Sequence, residues 1–154
     1  MRRERVEPNL IGVGRGKRVA IVAARFYGDL ADQLEDGARR ALAAAGVAAE
    51  DVHAFRVPGC FEIPLASLKA ARRGFDAVVA LGVVIRGETP HFEFVASECA
   101  RGIMDVQLES GVPIGFGILT TETRAQAEER ADPERGDKGF EAASAALSLL
   151  ALQP

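Results

Sequence analysis

A continuous apolar run decides the fold of this chain: RVAIVAARF, residues 18–26. The run ends at a turn, 27–28, and this pattern is typical of a strand buried on both faces of a sheet. The next segment, 29–46, carries leucine and alanine at helical spacing. Asp29 is placed to cap its start, and Gly46 supplies a left-handed stop. The sequence therefore predicts a buried strand followed by an amphipathic helix.

The same alternation continues along the chain. Three further strands are predicted, at 52–57, 77–85 and 113–119. Four further helices are predicted, at 62–73, 89–110, 124–131 and 138–152. Alternating strands and helices favour a parallel sheet covered by helices on both faces, with right-handed crossovers. A chain of 154 residues suits one core, so we expect a single domain over 1–154, with 1–8 as a flexible tail.

Composition and charge argue against several classes of protein. The net charge is −3 and charges of both signs are interspersed, so the chain lacks the positive field that nucleic-acid binding needs. No run of about 18 apolar residues is present, and the basic opening MRRERVEPN is not followed by an apolar segment. We therefore expect a cytoplasmic protein with no nucleic-acid or membrane partner.

The cysteines and one histidine suggest packing rather than chemistry. Cys60 and Cys99 are far apart in sequence, in no metal-ligand spacing, and have apolar neighbours. Buried thiols are typical of such positions, so we expect neither a zinc site nor a disulfide framework. His53 lies in a predicted strand, where a histidine usually packs or faces solvent.

Four turns with chemically useful residues follow the four predicted strands: RFYGD at 25–29, VPGCFE at 57–62, VIRGETPH at 84–91 and ILTTET at 118–123. In parallel α/β sheets, ligands bind outside the carboxyl ends of the strands. We therefore expect all four turns to converge on one functional edge.

The turn at 84–91 offers an anion site with a titratable neighbour. Thr89 can cap the next helix with Pro90 at its first position, so the backbone amides there can receive an anion such as phosphate. His91 could move protons beside that anion, or it could be a surface histidine at a helix start. Arg86 could bind phosphate or pair with Glu88 or another carboxylate, and these alternatives stay open.

The first two turns offer contacts for an organic ligand. Gly59 allows a close approach of backbone to ligand. Glu62 could accept hydrogen bonds from ligand hydroxyls or simply interact with a helix N-terminus. Phe26 could stack on a flat heterocycle or belong to the core.

Together these stretches resemble the lumazine synthase family of riboflavin biosynthesis. The shared motifs are RF at 25–26, VPGCFEIP at 57–64, LGVVIRGETPHFEFV at 81–95, GVPIGFGILTTET at 111–123 and GDKGFEAA at 136–143. They occur in the order and spacing of the family and cover about residues 9–150. Five motifs in register make the resemblance specific.

The resemblance implies a three-layer, flavodoxin-like α/β fold with a four-stranded parallel sheet, and it implies a transferase. The reaction would condense 5-amino-6-(D-ribitylamino)uracil with 3,4-dihydroxy-2-butanone 4-phosphate to 6,7-dimethyl-8-ribityllumazine, releasing phosphate and water. Imine formation, phosphate elimination and ring closure need proton transfer and a held leaving group, so no cofactor and no metal are expected. The assembly would be a homopentamer, either free, paired as a decamer or built into a 60-subunit capsid.

The resemblance also implies a role for each site residue. Phe26 would stack on the pyrimidine, and Glu62 would accept the ribityl hydroxyls. Backbone groups of six residues would hold the polar edge of the pyrimidine: Gly59, Cys60, Phe61, Val83, Val84 and Ile85.

The phosphate side is implied in the same way. His91 would transfer protons, and Arg130 would bind the phosphate together with amides around Glu88 and Thr89. A planar guanidinium suits this role because it binds oxygens bidentately. Phe116 and Lys138 would complete the pocket from a neighbouring subunit.

This chain departs from the family at three places. Tyr27 follows the stacking Phe where the family often has Asn, which bears on the pocket rim. Asp137 precedes the lysine where the family often has Asn, which puts an anion near the phosphate site. The segment 131–136, ADPERG, replaces a more Gly- and Lys-rich one and bears on contacts between pentamers.

The predicted helix 89–110 independently favours an assembly. One apolar stripe faces the core: Phe92, Val95, Cys99, Ile103 and Val106. A second apolar sector carries Phe94, Met104 and Leu108. A helix with two such sectors usually contacts a second partner.

Two alternatives to an enzyme are a lumazine- or flavin-binding protein that has lost catalysis and a structural shell protein. The presence of His91, Arg130 and Lys138 argues against the first.

Overall fold

A computed structural model describes residues 8–152 of the chain. The sheet has four strands: β1 Val19–Ala24, β2 Val52–Val57, β3 Ala77–Ile85 and β4 Ile114–Thr121. Five α-helices surround it: α1 Gly28–Ala44, α2 Ile63–Arg72, α3 His91–Ser110, α4 Arg124–Ala131 and α5 Lys138–Ala151. Short 3-10 turns occupy Pro8–Leu10, Ala49–Asp51 and Cys60–Glu62. The predicted alternation of strands and helices is confirmed.

All strand pairs are parallel, in the order β2-β1-β3-β4. The chain therefore leaves β1 toward β2 on one side and returns to β3 on the other side. The connection direction reverses between β1 and β3, and this reversal point is where parallel sheets leave a crevice for ligands. The fold thus places its crevice beside the turns after β1 and β3.

The helices form two layers around the sheet. Alternate residues of β1 enter two different cores: Val19, Ile21 and Ala23 pack with α1, α4 and α5, whereas Ala20, Val22 and Ala24 pack with α2 and α3. All six are buried, so the apolar run reads as continuous because both faces are covered. The predicted three-layer α/β fold is confirmed.

A glycine in β4 allows helix α5 to pack closely against the sheet. A Cβ at Gly115 of β4 would lie 2.1 Å from the carbonyl oxygen of Ala142 in α5. Any side chain there would force α5 away from the strand, and this contact explains a glycine inside a strand.

Two predicted helix starts were wrong in detail. Helix α1 begins at Gly28 with no side-chain cap, and Asp29 lies in its first turn, where its carboxylate pairs with Arg124. Helix α3 begins at His91, so Pro90 precedes the helix instead of occupying its first position. A residue before proline avoids the helical region, which holds Thr89 outside the helix. The Gly46 stop is confirmed by its φ of 95°.

Helix α3 has the two apolar sectors that its sequence predicted. Cys99, Ile103 and Val106 are buried against the sheet. Phe94, Met104 and Leu108 are exposed by 66%, 51% and 75%. Within residues 8–152, each helix is too short or too polar to span a bilayer. The predicted tail lies outside the described residues except for Pro8.

Candidate active site

A cavity of about 630 Å³ opens at the carboxyl edge of the sheet. It is lined by three strand-end turns and the first turn of α3: Phe26, Tyr27, Pro58, Gly59, Cys60, Phe61, Glu62, Val83, Val84, Ile85, Gly87, Thr89, His91, Phe92, Phe94 and Val95. The four strands are parallel, so all four turns lie at one edge of the sheet as predicted, but the turn after β4 does not line the cavity. Strand β4 lies on the far side of β3 from β1, which moves its turn away from the crevice.

The turn after β1 presents Phe26 to the cavity. Its side chain is 72% exposed, so the interpretation of Phe26 as a core residue was wrong. The amide of Arg25 donates to the carbonyl of Val57 at 2.9 Å, which ties this turn to the end of β2. The Arg25 guanidinium also pairs with Asp32 of α1 at 2.5 Å. The backbone under Phe26 is therefore fixed on two sides.

The turn after β2 contains an internal hydrogen bond to the carboxylate of Glu62. The Glu62 carboxylate accepts a hydrogen bond from the Gly59 amide at 3.0 Å (Oε1···N), so the helix-terminus role of Glu62 is present. A carboxylate has a second oxygen, and Glu62 also lines the cavity. The two interpretations of Glu62 are therefore compatible.

Cys60 of this turn and Cys99 of α3 are buried free cysteines. Cys60 Sγ lies 3.8 Å from the carbonyl oxygen of Val83, and a Cβ at Gly82 would come within 2.5 Å of the same sulfur. A hydrogen bond with Cys60, together with burial, raises the pKa of the Cys99 thiol. Cys99 is thus a packing residue of the core between the sheet and helices α2 and α3.

Arg86 follows β3 and is held by carboxylates. Its guanidinium pairs with Glu93 of α3 and with Glu122 at 2.7 Å, and it stacks on Phe92 at 4.4 Å. The hydrogen bond from Arg86 lowers the pKa of the Glu93 carboxyl. Pairing with a carboxylate was one of the two predicted alternatives, although neither partner is Glu88. Arg86 therefore links the loop before α3 to helix α3 itself and to the turn after β4.

His91 is exposed at the first residue of α3, on the cavity rim. Its amide donates to Thr89 Oγ1 at 3.4 Å. Gly87 and Thr89 line the cavity, whereas Glu88 between them does not. Within the described residues, none of the amides of 87–89 donates a hydrogen bond to another protein group. This loop therefore keeps donors for an anion next to a titratable imidazole.

Besides Glu88, three predicted site residues do not line the cavity of their own chain. Phe116 is 48% exposed in the middle of β4, the edge strand. Arg130 lies in the last turn of α4 and donates to the carbonyl of Gln126 at 3.2 Å. Lys138 begins α5, and its Nζ pairs with Glu141 at 2.9 Å.

The structure neutralises the unexpected anion at Asp137. Its carboxylate is buried and receives two hydrogen bonds from Arg40, at 3.1 and 2.7 Å. The hydrogen bonds to this carboxylate raise the pKa of Arg40. Asp137 adopts a left-handed backbone conformation, φ 51°, which Asp and Asn tolerate best among residues with a side chain. This carboxylate therefore serves an internal ion pair.

Several lining residues were missed as ligand contacts: Pro58, Gly87, Phe92, Phe94 and Val95. Phe92 and Val95 were assigned to the core stripe of α3 and Phe94 to its second sector. For these three residues, the available sequence signal was their position near the start of a helix that follows a strand end.

The fold and site define an α/β enzyme that binds small molecules at the reversal point of a parallel sheet. The family model for 6,7-dimethyl-8-ribityllumazine synthase matches residues 16–153. A protein of Kineococcus radiotolerans with that name is 54% identical over 139 residues, which are 89% of this chain and 85% of the relative. One of Syntrophus aciditrophicus with the same name is 45% identical over 141 residues, 91% of this chain and 92% of the relative. The chain belongs to the 6,7-dimethyl-8-ribityllumazine synthase family, the transferases of riboflavin biosynthesis that its motifs resembled.

Proposed function

We propose that the cavity at the carboxyl edge is where this chain, as one catalytic domain, condenses 5-amino-6-(D-ribitylamino)uracil with 3,4-dihydroxy-2-butanone 4-phosphate. The products are 6,7-dimethyl-8-ribityllumazine, phosphate and water. Family membership supports the reaction. The observation that carries the location is that one cavity gathers Phe26, the 59–62 turn, the end of β3 and His91.

The pyrimidine binds between Phe26 and the backbone of the second and third turns. An exposed phenyl ring on a fixed turn offers a face for stacking. Gly59, Cys60 and Phe61 lie opposite the β3 residues Val83, Val84 and Ile85, and backbone groups of both segments hold the polar edge of the ring. Glu62 accepts hydrogen bonds from the ribityl hydroxyls through the oxygen that does not bind Gly59.

The ketone phosphate binds at the start of α3. The amides of Glu88 and Thr89 donate to the phosphate, and His91 transfers protons. The 5-amino nitrogen attacks the ketone carbon, and water leaves as the imine forms. Loss of the proton on C3 then expels phosphate from C4 with the C–O bonding electrons, and the enol that forms becomes a ketone at C3. The ribityl-bearing nitrogen finally attacks this C3 carbonyl and closes the second ring with loss of water.

The site is completed by a second copy of the chain. Phe116, Arg130 and Lys138 belong to the site but do not line the cavity of their own chain, and exposed apolar residues on α3 offer a contact surface. A ring with head-to-tail contacts repeats such a shared site at every interface. We infer a cytoplasmic homopentamer.

Turnover with both substrates tests this proposal. Purified protein mixed with the pyrimidine and the ketone phosphate should form the lumazine chromophore, followed by absorbance. Binding of the lumazine without turnover would instead identify a lumazine- or flavin-binding protein. Assembly with neither binding nor turnover would identify a shell protein.

A further inference from the structure

We propose that Tyr27 is a positioning residue that holds the Phe26 ring in the orientation that stacks on the pyrimidine. The inference rests on the proposed stacking role of Phe26. It concerns a residue at which this chain departs from the family.

The two rings form an edge-to-face pair. Their centroids are 4.9 Å apart and the ring planes are 71° from each other, which is the geometry that aromatic quadrupoles favour. Both rings line the cavity. In an edge-to-face pair the contact covers at most one face of a ring, so Phe26 keeps an open face for stacking while Tyr27 restrains its orientation.

Tyr27 is anchored, whereas Phe26 is not. Tyr27 is half-buried and packs against the core on the α1, α4 and α5 side of the sheet. The Arg124 guanidinium lies 5.9 Å from its ring centroid and is held in turn by Asp29 and by Glu128, the latter at 2.9 Å. Phe26 is 72% exposed. Contact with the anchored Tyr27 ring therefore restricts the motion of the exposed Phe26 ring.

This restraint should improve binding. An exposed side chain loses rotamer freedom when a ligand stacks on it, and a ring that is already oriented loses less. An edge-to-face pair is worth enough to change a dissociation constant about three- to ten-fold. Asn at this position, as the family often has, offers no ring to contact Phe26. The effect should fall on the pyrimidine and the lumazine product, and it should not fall on the ketone phosphate.

Tyr27 also supplies its own spectroscopic probe. The chain has one tyrosine and no tryptophan, so near-UV circular dichroism above the phenylalanine bands reports Tyr27 alone. Phe26→Ala should change this signal in the ligand-free protein. Phe61→Ala is the control, because Phe61 is an exposed ring that lines the same cavity and the ring partner of Tyr27 is Phe26.

Calorimetric titration with 6,7-dimethyl-8-ribityllumazine tests the inference on the assembled wild type and four variants. Tyr27→Phe keeps the ring and should bind within two-fold of wild type. Tyr27→Asn and Tyr27→Leu should bind about three- to ten-fold more weakly, with kcat unchanged at saturating pyrimidine. The Tyr27→Leu variant keeps apolar packing against the core, so its affinity tests the inference even if the Asn variant does not assemble. Phe26→Ala should bind more weakly than either.

Two results overturn the inference in different ways. If Phe26→Ala weakens binding but Tyr27→Leu binds like wild type, Tyr27 does not position the ring, and the stacking assignment stands. If Phe26→Ala itself binds like wild type, the stacking role fails and the inference fails with it.

Discussion

The buried pair between Arg40 and Asp137 gives the clearest energetic prediction. It joins α1 to the start of α5, whose first residue is Lys138. Arg40→Met removes the guanidinium that donates two hydrogen bonds to the Asp137 carboxylate, which is only 7% exposed. Removing one member of a fully buried pair costs about 3–5 kcal/mol, but the Arg40 side chain is 35% exposed and solvent screens part of the loss. We therefore expect about 2–3 kcal/mol of lost stability.

A double-mutant cycle isolates the pair. Asp137→Asn keeps a side chain that tolerates the left-handed backbone and removes the charge, so we expect it to cost about 1 kcal/mol. Arg40→Met made in that background should cost much less than in wild type, with a coupling energy of about 1–2 kcal/mol. Asp36→Asn is the matched control, because it removes the exposed i,i+4 partner of the same arginine and should cost about 0.5 kcal/mol or less.

The assay is urea unfolding at one fixed protein concentration, since stability of an assembly depends on concentration. A coupling below about 0.5 kcal/mol would contradict the reasoning. It would mean that Arg40 stabilises the chain through its contacts with Asp36 and Phe140 and that the Asp137 carboxylate is satisfied without it.

Three further predictions concern catalysis. His91→Ala should lower kcat by about 100-fold or less with assembly unchanged, because a positioned acid–base group contributes about 10²–10⁴ and water can partly replace it. Wild-type turnover across pH would remove His91 from the mechanism. Arg130→Ala should weaken use of the ketone phosphate and spare pyrimidine affinity, because only the ketone carries the anion; an equal loss in the two binding isotherms would indicate a structural role. Co-refolding these two variants should give mixed rings more active than the average of the separate variants, and confirmed mixed assemblies without that gain would refute the shared site.

Two strands were predictable to the residue, for different reasons. β3, 77–85, is covered on both faces over most of its length, so its residues form an unbroken apolar run. β2, 52–57, is an edge strand of half-buried and exposed residues, and the alternation within VHAFRV predicted it instead. Helix starts were harder to predict. No side chain caps α1, and the candidate cap Asp29 pairs with Arg124 instead. The start of α1 is therefore set by the backbone path of the turn that contains Phe26.

The site was predictable only as far as strand ends determine it. Phe26, Gly59 and His91 follow three strands that the sheet order brings together. The partners of charged residues could not be read from the sequence in the same way. Arg40 and Asp137 are 97 residues apart, and Arg86 had several acids within reach. Which carboxylate an arginine pairs with depends on tertiary geometry that no local pattern contains.

The charges around the cavity give a physical reason for a shared site. The groups that line it in one chain include the carboxylate of Glu62 and the imidazole of His91, and none of the described lining residues is Lys or Arg. The two arginines on the adjoining turns are occupied, Arg25 by Asp32 and Arg86 by Glu93 and Glu122. A phosphate ester held by backbone amides alone would therefore face a cavity with little compensating positive charge. Proteins usually add a charge-assisted bond where phosphate must be held while it leaves. A guanidinium brought by a neighbouring copy would supply that charge only in the assembled ring, so assembly and phosphate affinity should rise together as protein concentration increases.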